Sequence, residues 1–206
     1  MHAALTDVVI CPRCGPGWGM ILLADRVSER RVLAGRFGCP NCRQSFGVDG
    51  GFADLRPAPV PVGGEPLGRS ADRTAAMRLA ALMGLGEGAA RALVAGPAAR
   101  LAAELAGLLE GLEVIAVDDA LGGWAEEPGV SRFAAADRLP FRNRSMGGVA
   151  LSGSASAAWL EEGARVLGDA GRLVLEDAPA DAEPRLERAS LDIVAREART
   201  VVARRR

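Results

Sequence analysis

From residue 91 onward, short apolar runs alternate with amphipathic stretches and glycine turns. Ala92 to Ala95 is an apolar run of buried-strand type, and Gly96-Pro97 is the turn signal that stops it. From Ala98 to Glu110 the residues Leu101, Leu105, Leu108 and Leu109 recur at i, i+4, i+7 and i+8, so the spacing predicts a helix with one apolar face, ended by Gly111. Val114 to Val117 is a second strand-like run. It delivers Asp118 at its carboxyl end, 22 positions after Gly96. A strand, a turn, a helix and a strand ending in an acid make a nucleotide-binding unit whose acid would meet a ribose hydroxyl. A plainer account also stands: one glycine after a strand is ordinary turn chemistry, and Asp118-Asp119 can be a solvated strand end.

The alternation continues. Ser131 to Ala136 reads as a third strand, Asp137 to Phe141 as a turn with an apolar anchor, and Gly147 to Ser152 as a fourth strand. Trp159, Leu160, Ala164 and Leu167 mark a helix, and Arg172 to Glu176 a fifth strand. Leu191 to Ala195 and Thr200 to Ala203 read as an antiparallel closing hairpin; helix is the alternative, and the β-branched residues favour strand. The segment Pro179 to Ser190 looks too short to carry added elements over the fifth strand. Upstream, Ser70 is the expected N-cap of a helix whose stripe is Ala76, Leu79, Ala80 and Met83, with Gly84 as its stop. Before it, Pro57, Pro59, Pro61 and Pro66 with Gly63, Gly64 and Gly68 have linker composition. The pattern therefore divides the chain into a small module over 1–56, a linker over 57–69 and an α/β domain over 70–206.

The small module reads as a hairpin, Met20 to Ala24 and Arg31 to Phe37 about a polar turn, closed by one glycine-rich strand within 44–56. Its four cysteines occur only as Cys11-Pro-Arg-Cys14 and Cys39-Pro-Asn-Cys42, with 24 residues between the two pairs. Each C-x-x-C turn can wrap one edge of a tetrahedral ion, and the hairpin brings the two edges together. A redox dithiol would need no second pair, and disulfides are rare in a reducing compartment. The expectation is a structural zinc ribbon held by Cys11, Cys14, Cys39 and Cys42, closed to catalysis. His2 has no partner at ligand spacing and is expected to be a disordered terminal residue.

Composition limits the function classes. The chain of 206 residues is 49% hydrophobic with a formal net charge of −1, enough for one sizeable core plus a satellite and unlike a general nucleic-acid coat. Charge is uneven, however: seven acids and no arginine lie between Leu101 and Gly129, and seven arginines between Arg185 and Arg206. No stretch reads as a leader or a spanning helix, so a cytoplasmic protein with no membrane partner is expected. Trp18 and Trp124 sit near glycines, as packed or recognition residues; Trp159, at helical spacing, reads as core.

The strings LVAGPAARLAAEL, VIAVDD, AAADRLPF, SMGGVALSGS and LEEGARVLGDAGRLVLED, in that order, resemble the successive motifs of class I S-adenosylmethionine-dependent methyltransferases over about residues 74–206. FGCPNCRQSFGVDGGFADLR resembles the small zinc modules found beside or fused to RNA and protein methyltransferases, and the layout is similar to bacterial ribosomal-RNA guanine methyltransferases. The resemblance implies a seven-stranded, mostly parallel Rossmann-like sheet with a reversed last strand. It also implies S-adenosylmethionine as cofactor, with Gly96, Asp118 and, in place of an acid that aligns with Ala135, Asp137 as its contacts. The departures from the family pattern lie in the first loop, where Pro97, Ala98 and Ala99 replace glycines, and at Gly147-Gly148, where an acid often begins the catalytic face. No residue stands out as a catalytic base. Two functions follow: a binding or assembly subunit with an eroded cofactor site, or an active methyltransferase on RNA or protein. The expected partner is a protein or an RNA-protein assembly, with RNA reached through arginine-rich surfaces.

Overall fold

The computed structural model describes residues 1–58 and 67–206. Most of the expected linker, including Pro59, Pro61, Gly63, Gly64 and Pro66, lies outside the described residues.

The main domain begins with α1 (Arg73–Met83), which buries Ala76, Leu79, Ala80 and Met83 and stops at Gly84 in the left-handed conformation. Its cap is Asp72, whose carboxylate accepts from the amide of Ala75; the hydroxyl of the expected cap, Ser70, instead accepts from the amide of Asp72. Strand β5 (Arg91–Ala95) follows, then a 3-10 turn over Gly96–Leu101 and a single α-helical turn, α2 (Ala102–Ala106). The expected helix over Ala98 to Glu110 is thus shorter and starts as a tighter coil. Pro97 removes an amide, and Gly107 with Gly111 ends the run early. Strands β6 (Glu113–Val117), β7 (Val130–Ala134), β8 (Gly148–Leu151) and β9 (Arg172–Leu175) complete the parallel set, with α3 (Ser154–Ala158) and α4 (Leu160–Val166) between the last two. An extra helix, α5 (Ala182–Arg188), occupies the segment expected to be bare. Then β10 (Leu191–Glu197) and β11 (Thr200–Arg205) form the closing hairpin, antiparallel to each other and to β9.

These seven strands lie in the order β7-β6-β5-β8-β9-β11-β10, with Leu93 beside Ile115 on parallel neighbours. The order reverses between β5 and β8, the switch point at which open α/β sheets bind ligands. Helices cover both faces. One apolar cluster joins α1, the 3-10 turn and α2 to Val94, Ala116 and Val174; the other joins Leu160, Ala164 and Leu186 to Leu93, Ile115 and Leu173. Among the described residues, no helix is long and apolar enough to cross a membrane.

The cysteine module is built into this sheet. Strands β1 (Ile21–Ser28), β2 (Arg31–Gly38), β3 (Ser45–Asp49) and β4 (Phe52–Asp54) form a meander, in which a Gly50-Gly51 turn splits the expected single closing strand in two. β4 then lies parallel to β7, pairing Ala53 with Phe133, so the sheet runs unbroken through eleven strands. Its core is shared: Leu5, Val32, Phe37 and Phe46 belong to the same cluster as Phe133, Phe141 and Leu151.

A polar brace backs the junction. Arg132, 1% exposed, donates to the carbonyls of Leu121 and Trp124 and, across the seam, to that of Gly50. Arg31 of β2 pairs with Glu126 and Glu113 and donates to the carbonyl of Val130. His2, expected to be loose, is held in this brace: its amide donates to Ser131 Oγ at 2.8 Å, and its ring accepts from the amide of Ala4.

Candidate functional site

The four thiols converge. Their Sγ atoms all lie within 4.8 Å of one another, with 3.7 Å between Cys11 and Cys42 and 3.8 Å between Cys14 and Cys39. Thiolates about 2.3 Å from a tetrahedral zinc would lie about 3.8 Å apart, close to the separation of both these pairs, so the set fits the ion with small adjustments. In each knuckle the last cysteine's amide points at the first one's sulfur, Cys14 to Cys11 at 3.4 Å and Cys42 to Cys39 at 3.5 Å, and Asn41 Nδ2 donates to Cys14. These donors favour the thiolate forms. Burial pushes the Cys11 thiol up to about 12, against the amides of Cys14 and Arg13. Burial also lifts Cys39, but the amides of Cys42 and Asn41 and the neighbouring thiols outweigh it and bring that thiol down to about 7. With all four positions filled by sulfur, a bound ion would cross-link the knuckles and leave no open position for chemistry.

The second site lies at the switch point. A cleft of about 300 Å³ at the carboxyl ends of the parallel strands is lined by Gly96, Asp118, Asp119, Ala135, Ser154, Ala155, Ala158 and Trp159. The structure thus brings Gly96 and Asp118 together with Ala135. It does not bring in Asp137, which is exposed and lines no part of this cleft. Asp118 is half-buried and caps the next turn, one carboxylate oxygen accepting from the amide of Ala120 at 2.9 Å. Trp159 walls the cleft, its indole donating to the carbonyl of Ala136 at 2.8 Å. Asp119 is held from the cysteine module: Arg56, just past β4, reaches it at 3.0 Å while gripping Asp54. Burial would raise the carboxyl of Asp54, but this guanidinium holds it below its usual range.

The glycine loop is closed on itself. Gly96 has φ +71°, and a Cβ there would sit 2.4 Å from the carbonyl oxygen of Ser152. The next free amide, that of Ala98, donates to Ser152 Oγ at 2.6 Å, and that hydroxyl donates in turn to the carbonyl of Ala95. Pro97 has no amide to offer, and Ala98 and Ala99 are buried. Two donors that a glycine-rich loop would present to the methionine moiety of a cofactor are therefore lost, one absent at Pro97 and one used at Ala98, while the side facing Asp118 stays open. Ser152 is the residue that sequence reasoning missed. Its signal was one hydroxyl at the end of an otherwise apolar β8.

Gly96→Ala should destabilise the protein by about 1–3 kcal/mol, because alanine is strained at that φ and its methyl meets a carbonyl that β8 holds in place. Urea unfolding midpoints of the two proteins check it; an unchanged midpoint would mean that the loop moves freely from β8.

No known family's sequence pattern matches the chain, and no curated protein matches it. Among solved structures, it is similar to a chain of the complex between the Haloferax volcanii Trm112 methyltransferase activator and a methyltransferase, at 18% identity over 60% of this chain and 70% of that one, TM-score 0.47. It is similar to a Bacillus halodurans methyltransferase at 18% identity over 61% and 71%, TM-score 0.46. It is also similar to precorrin-6y C5,15-methyltransferase of Geobacter metallireducens at 16% identity over 69% and 96%, TM-score 0.46. By its own strand order, parallel up to β9 and closed by the reversed β11, the chain has the Rossmann-like fold of class I S-adenosylmethionine-dependent methyltransferases, with a four-cysteine module joined to the edge of the sheet.

Proposed function

We propose that this is a methyltransferase-fold binding or assembly subunit of the reducing cytoplasm, whose S-adenosylmethionine site is eroded and whose cysteine module holds one zinc ion as a structural centre. The observation that carries the reading is the bond from the amide of Ala98 to Ser152, which, with Pro97 lacking an amide, takes two donors from the first loop. Each charge-assisted hydrogen bond forgone costs about 1.5–3 kcal/mol, or about ten- to more than a hundredfold in affinity. Asp118 alone does not make up two such losses.

An assembly role draws on the outer edge of the module. Strand β1 is an edge strand that leaves Ile21, Leu23 and Val27 between 49% and 56% exposed, a row of apolar side chains beside unpaired backbone. Extended segments of partner proteins add to such edges. The alternative, an active methyltransferase on RNA or protein, is favoured by one observation: Gly96 and Asp118 still share an open cleft at the switch point.

Calorimetry separates the two. S-adenosylmethionine or its demethylated product should give no saturable heat at about tens of micromolar, and Asp118→Ala should change the thermal midpoint little, by the same loss of a cap with or without ligand. Micromolar binding abolished by Asp118→Ala would give the active reading precedence instead, with Asp137 as the next residue to substitute. Elemental analysis should find about one zinc per chain, released on thiol modification.

A further inference from the structure

Trp18 is the one large aromatic side chain that the described structure leaves open, 44% exposed at the tip of the first knuckle. Its backbone is fixed: the amide donates to the carbonyl of Gly15, and its own carbonyl accepts from the amide of Cys11 at 2.9 Å. The ring therefore stands on the frame of the cysteine site.

Guanidinium groups from another part of the chain lie at both ends of the Gly15–Gly19 loop that carries it. A Cβ on Gly15 would sit 2.6 Å from Nη1 of Arg138, and one on Gly19 would sit 3.1 Å from Nη2 of Arg142. Both arginines are mounted on a rigid segment. Between them Leu139 and Phe141 are fully buried, Phe141 meets Phe133 edge-on at 5.1 Å, and the segment is bonded to the residues before the knuckle through the amide of Ile10 to the carbonyl of Pro140 and the amide of Arg142 to the carbonyl of Val8. Neither guanidinium has a hydrogen-bond acceptor, an ion pair or an aromatic face among the described residues. Other exposed arginines, among them Arg26, Arg36, Arg73 and Arg100, also lack an ion pair among the described residues; what sets Arg138 and Arg142 apart is that both border the loop that carries Trp18. A bound zinc with four thiolates would carry two negative charges, and the knuckles themselves carry the exposed Arg13 and Arg43.

We propose that this face binds single-stranded nucleic acid, with a base stacked on Trp18 and the flanking phosphates held by Arg138 and Arg142. An open indole on a loop bordered at both ends by guanidiniums can accept any base through its π face and adjacent phosphates through paired N–H donors. The core of a protein interface is instead poor in charge, and the apolar side chains exposed on β1, Ile21 and Leu23, lie on a different element from Arg138 and Arg142. This inference needs no cofactor at the switch-point cleft, and its test fails or succeeds independently of the calorimetry above.

The test uses the full chain with its metal and fluorescein-labelled single strands of about 12 nucleotides, oligouridine and oligothymidine, followed by anisotropy across a salt series. Saturable binding is expected. Trp18→Ala should weaken it about tenfold, and Trp18→Phe should recover most of the loss. Replacing Arg138 and Arg142 with serine should flatten the slope of log affinity against log salt by about 1.4, two phosphate contacts of a single strand. Arg100→Ser, an exposed arginine beside the opposite face of the sheet, should change nothing. All three target residues are exposed, so thermal midpoints and zinc content should match the parent; should the double variant lose either, Arg138→Gln and Arg142→Gln are read singly. Tighter binding of the RNA strand would place a ribose hydroxyl in the contact, and equal binding would leave base and phosphate as its whole content; both support the proposal. Absence of saturable binding, indifference to Trp18→Ala, or equally tight binding of labelled polyglutamate would overturn it, the last by assigning the face to an acidic protein.

Discussion

Replacing Cys39 and Cys42 together with serine is expected to loosen far more than the knuckles they belong to. A structural zinc contributes about 10–16 kcal/mol of binding free energy to small cysteine modules, comparable with or above the whole stability of an ordinary domain. Without it, the meander must hold on its own core of Leu5, Val32, Phe37, Phe46 and Val48, which is continuous with the main core through Phe133 and Phe141. Because β4 is a neighbour of β7 in one sheet, loss of the meander exposes the β7 edge and leaves the guanidinium of Arg132 without the carbonyl of Gly50. The expected cost is more than about 4 kcal/mol, or about 8–16 °C in the midpoint for a protein of this size. Circular dichroism melts with and without a chelator read the midpoint, and hydrogen exchange reads β7. An unchanged midpoint with full protection of the β7 amides would mean that the module folds without metal and that the thiols have another use.

Arg132→Ala comes next in size. The side chain is the largest among those fully buried, and its charge is compensated by three carbonyls and by Glu126 at 3.5 Å. Burial lowers the pKa of this guanidinium, and Glu126 works against that shift. Truncation leaves the carbonyls of Leu121, Trp124 and Gly50 without that donor and opens a cavity where the module meets the main sheet. Removing one partner of such a buried arrangement costs about 3–5 kcal/mol, whereas an exposed pair is worth about 0–1 kcal/mol. Arg78→Ala, which breaks an exposed pair with Glu197, is therefore the contrast: its denaturation midpoint should stay close to the parent while that of Arg132→Ala falls well below it. Arg132→Lys should recover only part of the loss, since an ammonium group cannot span three carbonyls as a planar fork does. Equal midpoints for Arg132→Ala and Arg78→Ala would show that the seam is wet and the brace dispensable.

The two sites differ in how far they could be read in advance. The cysteine centre was legible because two C-x-x-C turns are local structures, and only the closing hairpin was needed to bring them together. The cleft was legible in part. Gly96 and Asp118 end neighbouring strands of one strand-turn-helix-strand unit, a short-range relation, and both line it. Ser152 is fifty-four positions from the amide that it occupies, and nothing in the local pattern of β8 says which loop its hydroxyl will face. Trp159 reached the cleft because α3 and α4 break apart at that residue, where the apolar spacing alone suggested one helix.

Apolar periodicity, glycine positions and β-branched runs by themselves determined the parallel strands, the packing stripe of α1 and the final hairpin, since each depends on which side chains can share one face of one element. They failed over Ala98 to Glu110, where four leucines suggested a long helix but Pro97 and two glycines limited it to a short coil. Proline and linker composition likewise suggested two separate bodies, yet pairing of β4 with β7 gives one continuous sheet. That outcome was decided by tertiary structure alone. A strand edge is neutral as to its neighbour, because backbone hydrogen bonds carry no sequence, and what commits β4 to β7 is a guanidinium buried between Gly50 and Leu121 that looks in the sequence like any other arginine.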